Sequence, residues 1–225
     1  MSALLSRVRG GLIVSVQAWK GSALDDPYVI AALARAAQDE GAVAVRVAGG
    51  SHVRAVRARI DIPIIGLVKR EYAGFAPYIT PTLAEVGEIV DAGADVVAFD
   101  ATLRPRPNAA TIDAIIAAIA SAGRLAMADC ATAADGARAH AAGAEIIATT
   151  LCGYTPETAG RSLPALDMVR ELAATDAFVV CEGGVTSPEQ VRAAIDVGAD
   201  AVVVGTAITN VNWLVRRFAG SADTV

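Results

Sequence analysis

The chain of 225 residues is 54% hydrophobic and 19% charged, and its net charge is −5. Intrinsic disorder is excluded because it requires low hydrophobicity, and the acidic balance argues against nucleic-acid binding. No uncharged apolar run is long enough to span a membrane, and the N-terminus lacks the apolar core of a signal peptide. We therefore expect one cytoplasmic domain, residues 1–225, that binds neither nucleic acid nor membranes.

The predicted elements repeat along the chain. Four times a glycine turn closes a helix and a short apolar run follows, at intervals of about 50 to 55 residues. The glycines are Gly41, Gly93, Gly143 and Gly198. Glycine enters the left-handed region without the penalty of a β-carbon, and the short apolar runs are typical of buried parallel strands. The repeat therefore predicts four helix–turn–strand units.

Four further strands are expected between these units, which makes eight strands alternating with helices. The added strands are predicted at residues 11–17, 62–69, 124–129 and 178–182. The main helices are predicted at residues 27–40, 83–91, 111–122, 131–142, 163–173 and 188–197. Their starts carry signals: Thr82 with Glu85 forms a capping box, and Ser187-Pro188 with Gln190 forms a second. This pattern favours a single-domain (β/α)8 TIM barrel over an open doubly wound sheet, which offers no reason for a fourfold period.

Polar side chains follow nearly every predicted strand, at the end where barrel enzymes place their active sites. In chain order they are Gln17, Arg46, Lys69, Asp100, Asp129, Thr149 with Thr150, Glu182, and Gly205 with Thr206. Asp100 equally fits the N-cap of the next turn. The sequence therefore predicts an active site at this rim.

Lys69 and Glu182 are the strongest catalytic candidates. A lysine that ends an apolar strand is partly desolvated, which favours its neutral form and suits a general base. A carboxylate after a fully apolar run is seldom buried without a partner, so Glu182 should meet Lys69 or Arg46. A structural salt bridge is the alternative role for Lys69 and Glu182, and the same alternative is open for Arg46 and Asp129. Gln17 is a weaker candidate for the site.

Two glycine-containing loops predict a phosphate site. Gly183 and Gly184 follow the seventh strand, and Gly205 and Thr206 follow the eighth, with room for one helical turn at residues 207–210. Loops at these positions of a barrel often bind phosphate through backbone N–H groups, although the glycines could serve tight turns alone. Neither a Walker lysine nor a dinucleotide fingerprint is present.

The remaining candidates favour structural roles. Cys130, Cys152 and Cys181 have an odd count and no Cys-x-x-Cys spacing, which argues against a zinc site or a disulfide framework. We expect all three to be buried small residues, and strand alternation turns Cys130 and Cys181 away from the barrel lumen. Trp213 and Phe218 are expected on an outer helix that packs on the barrel or on a partner subunit.

Eight short motifs in chain order resemble those of bacterial N-acetylmannosamine-6-phosphate 2-epimerases. They are L-I-V-S-V-Q (12–17), R-V-A-G (46–49), G-L-V-K-R (66–70), Y-I-T-P-T (78–82), M-A-D-C (127–130), T-T-L-C-G-Y-T (149–155), C-E-G-G-V (181–185) and V-G-T-A-I-T (204–209). The resemblance runs along nearly the whole chain.

The resemblance implies a TIM barrel that converts N-acetylmannosamine 6-phosphate to N-acetylglucosamine 6-phosphate in sialic-acid and amino-sugar catabolism. It implies no metal or organic cofactor, and a homodimer. It makes Lys69 and Glu182 catalytic. Substrate binding falls to Gln17, Arg46 and Asp129, and phosphate binding to Gly183, Gly184, Gly205 and Thr206. The chain departs from the family at Gly184 and Asn210, where basic residues are common.

The residues fit this chemistry on physical grounds, because inverting a carbon next to a carbonyl needs an acid–base pair and a group that stabilises the enediolate. Two alternatives stay open. Lys69 also suits a Schiff-base aldolase or lyase acting on a phosphosugar, and a non-catalytic phosphosugar-binding barrel would need no acid–base pair.

Overall fold

A computed structural model describes residues 2–222 of the chain. In it, eight parallel strands close into a barrel in sequence order. The strands are β1 (Leu12–Val16), β2 (Ala44–Ala48), β3 (Ile64–Leu67), β4 (Val96–Asp100), β5 (Leu125–Asp129), β6 (Ile146–Ala148), β7 (Phe178–Glu182) and β8 (Ala201–Val204). The last strand pairs with the first through Ile13 and Val203. The predicted (β/α)8 barrel is confirmed.

Helices follow the strands in regular alternation. Within the described residues they are α1 (Ala3–Val8), α2 (Pro27–Asp39), α3 (Gly50–Arg57), α4 (Leu83–Asp91), α5 (Ile112–Ser121), α6 (Ala133–Ala141), α7 (Leu166–Leu172), α8 (Pro188–Asp196), α9 (Thr206–Thr209) and α10 (Val211–Ala222). The one-turn helix expected at residues 207–210 is α9, shifted by one residue. No helix in this part of the chain is long and apolar enough to cross a membrane.

The repeated glycine turns explain the regular spacing. Gly41, Gly93, Gly143 and Gly198 have φ angles of 92°, 93°, 106° and 107°. These values lie in the left-handed region, where a side chain with a β-carbon is strained. Each glycine reverses the chain after a helix and starts the next strand, as predicted.

Strand alternation separates two apolar layers. One set of strand residues, including Val45, Val97 and Val179, packs outward against the helices. The other set, including Ile13 and Met127, fills the barrel interior. Successive side chains of a strand point to opposite faces, so each strand contributes to both layers.

The cysteines belong to the outer layer. Cys130, Cys152 and Cys181 are free thiols, and each is 0% exposed. All three pack in the layer between strands and helices. The prediction that they are buried small residues, with Cys130 and Cys181 turned from the lumen, is therefore confirmed.

The two predicted capping boxes differ. In α4, the Thr82 N–H donates to Glu85, and the box is complete. In α8, Ser187 Oγ accepts from the Gln190 N–H at 3.4 Å, but the Gln190 amide oxygen accepts from the Thr186 N–H at 2.7 Å. The prediction that Gln190 closes a box with Ser187 is therefore wrong, because the longer side chain reaches one residue further back.

The last helix carries an exposed apolar row. Ile208, Val211, Val215 and Phe218 are 45%, 45%, 59% and 73% exposed. The spacing of Val211, Val215 and Phe218 by four and three residues places these three along one side of α10, and Ile208 lies in α9 just before them. Since α10 packs mainly against α9, this row is not covered by the barrel.

Candidate active site

Polar side chains continue the inward-facing rows of the barrel at its carboxyl end. Because alternate residues share a face, Arg46 follows Ala44 and Asp129 follows Met127, and both preceding side chains pack in the interior. Glu182 likewise lies two residues after Val180, whose side chain also packs in the interior. The local sequence of each strand therefore aims its last polar residue into the barrel mouth.

Arg46 joins two of these carboxylates. Its guanidinium donates to both oxygens of Asp129, at 3.0 and 2.6 Å, and to Glu182 Oε2. Arg46 is 1% exposed and Asp129 is 0% exposed. Burial lowers the pKa of Arg46, but the negative charges of Asp129 and Glu182 outweigh this effect and raise it above its ordinary value. Arg46 is thus the cation partner expected for Glu182.

Two threonines that follow β6 complete the arrangement. Thr150 Oγ1 lies 2.8 Å from Asp129 Oδ1 and 3.0 Å from Glu182 Oε2, and it accepts from Arg46 at 3.3 Å. Thr149 Oγ1 accepts from the Glu182 N–H at 3.0 Å and donates to the Glu182 carbonyl at 2.8 Å. Sequence reasoning named both threonines but assigned neither to the site.

The proposed acid and base have shifted pKa values. Burial, the largest effect, raises the pKa of Glu182 above the usual range of a glutamate, although Arg46 opposes it. Lys69 keeps solvent access at the rim, two residues beyond β3. Desolvation of its amine, followed by the charge of Arg46, lowers the pKa of Lys69, whereas Glu182 acts in the opposite direction. Lys69 and Glu182 are therefore within electrostatic reach of each other.

Gln17 and Tyr78 border this group. Gln17 Nε2 donates to Ser15 Oγ at 2.8 Å, and its buried Oε1 has no hydrogen-bond partner among residues 2–222. Burial raises the pKa of Tyr78, with a further contribution from Asp129, so its hydroxyl stays protonated beside the carboxylates. Tyr78 was quoted in a motif but not proposed as a site residue; its place after β3, beside Lys69, was the available signal.

The two glycine loops lie beyond β7 and β8. Gly183 and Gly184 have φ angles of 104° and 71°. Gly205 is the N-cap of α9, which begins at Thr206, and Thr209 Oγ1 donates to the Ser15 carbonyl at 2.7 Å. A β-carbon on Gly184 would overlap the side chain of Leu163, so the packing of this loop favours glycine here.

Asp100 belongs to a local structural network. It accepts from the Thr102 N–H at 2.9 Å, from the Thr102 hydroxyl at 2.7 Å and from Arg104 at 2.6 Å. This supports the capping interpretation of Asp100. Among the described residues, no group of three or more His, Cys, Asp or Glu side chains could hold a metal ion.

Comparisons with known proteins identify the family of this chain. The family model described as "Putative N-acetylmannosamine-6-phosphate epimerase" matches residues 30–224. The chain belongs to this family. A Salmonella typhimurium relative, "Putative N-acetylmannosamine-6-phosphate 2-epimerase 1", is 45% identical over 210 residues, which cover 93% of this chain and 91% of the relative. A Synechococcus elongatus relative with the same name, without the final numeral, is 45% identical over 218 residues, covering 95% and 94%.

A solved structure gives the same result. The chain is similar to the N-acetylmannosamine-6-phosphate 2-epimerase from Clostridium perfringens, with 36% identity, a TM-score of 0.94, and coverage of 97% of this chain and 96% of that one. The predicted resemblance to the N-acetylmannosamine-6-phosphate epimerase family is therefore confirmed, and with it the prediction of an isomerase of the epimerase type. Family membership favours this function over the lyase and the non-catalytic barrel.

Proposed function

We propose that this epimerase interconverts N-acetylmannosamine 6-phosphate and N-acetylglucosamine 6-phosphate by proton transfer at C2. The observation that supports this most strongly is the pairing of shifted acid–base groups, Lys69 beyond β3 and Glu182 at the end of β7. Strands three and seven are opposite each other in an eight-stranded ring. An amine and a carboxyl group on opposite sides of a sugar carbon suit inversion at that carbon.

The proposed reaction starts from the ring-opened sugar, whose C1 carbonyl acidifies the C2 proton. Neutral Lys69 takes this proton from one face, and the electron pair of the C2–H bond moves into the C1–C2 enolate. Protonated Glu182 then donates a proton to C2 from the opposite face. The reverse reaction starts from Lys69 as the ammonium and Glu182 as the carboxylate, so both directions use a pair that carries one shared proton.

The neighbouring polar groups orient this pair. Arg46 and Asp129 are almost inaccessible, so we propose that they serve the substrate mainly by holding Glu182 in position. Gln17 is better placed to bind the substrate directly, because its buried Oε1 needs a donor such as a sugar hydroxyl or the acetamido N–H. The phosphate is proposed to bind the backbone of Gly183, Gly184, Gly205 and Thr206.

One assay tests the proposal directly. Purified protein is incubated with N-acetylmannosamine 6-phosphate, and proton NMR follows the anomeric signals of both sugars. We expect conversion of the phosphorylated sugar and much slower conversion of unphosphorylated N-acetylmannosamine. If the phosphorylated sugar were not converted, the proposed function would be wrong.

Isotope exchange tests the two-base route. In D2O, early product should carry deuterium at C2 while the remaining substrate does not, because each face has its own proton donor. Product without deuterium at C2 would rule out a proton that exchanges with solvent. Reduction by borohydride should leave no sugar attached to Lys69; a trapped adduct would favour the lyase.

We also propose a homodimer in which a second copy of the chain covers the exposed row on α9 and α10. Three exposed apolar side chains on one side of α10, with exposed Ile208 of α9 before them, are of the kind that subunit contacts bury. Light scattering after gel filtration should give a dimer, and Val215→Glu or Phe218→Glu should give a monomer. Arg216→Glu, at an exposed position of α10 on another side of the helix, is the control. The cytoplasmic location and the role in sialic-acid catabolism stay predictions.

A further inference from the structure

We infer that Thr150 is a positioning residue whose hydroxyl moves its hydrogen bond between Asp129 and Glu182 as Glu182 loses and regains the catalytic proton. The inference deepens the proposed function and rests on Glu182 as the acid–base group. Thr150 itself need not contact the substrate, since it acts through Glu182.

The geometry leaves one proton for two acceptors. Thr150 Oγ1 is 2.8 Å from Asp129 Oδ1 and 3.0 Å from Glu182 Oε2, both within the range of an O–H···O hydrogen bond. A hydroxyl carries a single donor. Arg46 donates to the same oxygen at 3.3 Å, which occupies one of its acceptor sites. The hydroxyl therefore has to choose between the two carboxyl groups, and rotation about its C–O bond is enough to change partner.

The charge on Glu182 decides the choice. The hydrogen bonds of Glu182 with Arg46 and Thr150 fall on Oε2, which leaves Oε1 to exchange the proton with C2. When Glu182 has given up that proton, Oε2 carries negative charge and attracts the Thr150 hydroxyl. When Oε1 is protonated again, Oε2 becomes a weaker acceptor and the hydroxyl turns to the charged Asp129. No atom of the backbone has to move.

The groups that face Glu182 come from four strand ends. Arg46 lies within β2, Lys69 lies beyond β3, Asp129 ends β5 and Thr150 follows β6. Burial and Asp129 raise the pKa of Glu182, whereas Arg46, the Thr150 hydrogen bond and Lys69 lower it. Loss of the Thr150 hydroxyl alone should thus raise the pKa of Glu182 further.

Two variants of one position separate the hydroxyl from the shape. Thr150→Val keeps the shape and removes the donor, and Thr150→Ser keeps the donor and removes a methyl group. In profiles of kcat against pH, we expect Thr150→Val to move the acid limb upward by about one pH unit, since a hydrogen bond to a charged group corresponds to a shift of that size. Thr150→Ser should keep the wild-type limb, and both variants should keep most of the wild-type rate on the plateau.

Two results would overturn the inference. One is a Thr150→Val profile that coincides with wild type. The other is an equal loss of kcat in both variants at every pH with an unmoved limb, which would indicate a packing role only. Melting temperatures of both variants identify any that fail to fold.

A second measurement does not depend on turnover. The 13C signal of the Glu182 carboxyl, assigned by its absence in Glu182→Gln, is titrated in the ligand-free protein. It should titrate at higher pH in Thr150→Val than in wild type or Thr150→Ser, and equal titration would contradict the inference. If wild type did not epimerise the phosphorylated sugar, the proposed function would fail, while this titration would still decide whether Thr150 controls Glu182.

Discussion

At the amino-terminal end of the barrel, the inward-facing rows carry Ile13, Ile65 and Phe178, and α1 covers them with Leu5 and Val8. At the carboxyl end the same rows carry charged and hydroxyl groups. Both ends are buried, yet one consists of apolar side chains and the other of an ion-pair network. One alternation pattern of the strands therefore builds two different environments a few residues apart.

The difference shows which end stabilises the fold. Burying a large aliphatic or aromatic side chain contributes about 1.5–3 kcal/mol, whereas a buried ion pair is offset by the desolvation of its charges. The network of Arg46, Asp129 and Glu182 is thus a poor source of stability for its size. We expect stability and activity to separate along the barrel axis, and the variants below test that separation.

The largest effect is expected on activity at the carboxyl end. Lys69→Met and Glu182→Gln each remove one acid–base group while keeping most of its shape, and kcat should fall by about 10²–10⁴-fold. Thermal denaturation of Lys69→Met should stay close to wild type because the residue is at the rim. Glu40→Gln, an exposed position just after α2, should keep full activity. Near-full activity of Lys69→Met would remove the proposed base.

Removal of Arg46 should lower both the stability and the activity of the protein. Arg46→Met leaves the buried carboxylates of Asp129 and Glu182 without their cation, and the free energy of unfolding should fall by about 3–5 kcal/mol. Urea denaturation measures this loss. Adding Asp129→Asn should recover part of it, since one buried charge is then removed. If the double variant were as unstable as the sum of the single variants, the ion pair would not be the cause.

Shortening a side chain at the other end should affect stability alone. Leu5 is 5% exposed and packs in the interior cluster, so Leu5→Ala should lower the free energy of unfolding by about 2–5 kcal/mol. The kcat of the folded variant should match wild type, because the acid–base groups lie at the opposite end. A large loss of kcat would show that the two ends of the barrel are coupled. Stability and activity would then not be separate along the barrel axis.

Much of this architecture was readable from the sequence. The glycine turns and apolar runs predicted every strand, because a left-handed turn and a buried parallel strand both restrict residue type strongly. Helix α1 was not predicted. Its role depends on Leu5 and Val8 meeting strands that are distant in sequence, such as β7 with Phe178, and no local pattern records that contact.

The site was predicted in its residues but not in its pairings. Sequence reasoning offered Lys69 or Arg46 as the partner of Glu182, and the structure gives Arg46. The choice depends on side-chain reach across the barrel, which the strand pattern does not contain. Thr150 was named with Thr149 but given no role, because β6 is only three residues long and two threonines follow it. Continuing the inward row of Ile146 and Ala148 would have selected Thr150 over Thr149.

A smaller effect is expected in the phosphate loops. Gly184→Ala places a β-carbon in the left-handed region, which costs about 1–2 kcal/mol, and also against Leu163. Gly123→Ala is the matched control, since Gly123 has a similar φ of 68° and open space around it. We expect a larger loss of stability for Gly184→Ala and a raised KM for the phosphorylated sugar only in that variant. Equal effects would mean that Leu163 yields and that the loop has no role in phosphate binding.

The pH dependence of wild type gives the finest test of the carboxyl end. Since the active pair of Lys69 and Glu182 carries one shared proton, kcat should fall at low pH when both are protonated and at high pH when neither is. Burial raises the pKa of Glu182 and lowers the pKa of Lys69, so the acid limb should lie above the usual glutamate range and the alkaline limb below the usual lysine range.

The sign of each shift makes this profile specific. A site with one working carboxylate and no second titrating group would give an acid limb only. A lysine whose amine is fully hydrated and far from Arg46 would leave the alkaline limb at its ordinary position. Saturating substrate at each pH keeps titration of the sugar phosphate out of the measurement. The variants are assayed from N-acetylglucosamine 6-phosphate, the direction in which Glu182 is the base and Lys69 the acid. In Glu182→Gln the acid limb should then disappear from the residual activity while the alkaline limb stays, and in Lys69→Met the reverse should hold. If both limbs of the pH profile remained in both variants, the profile would belong to other titrating groups. Lys69 and Glu182 would then not be the acid and base of the reaction.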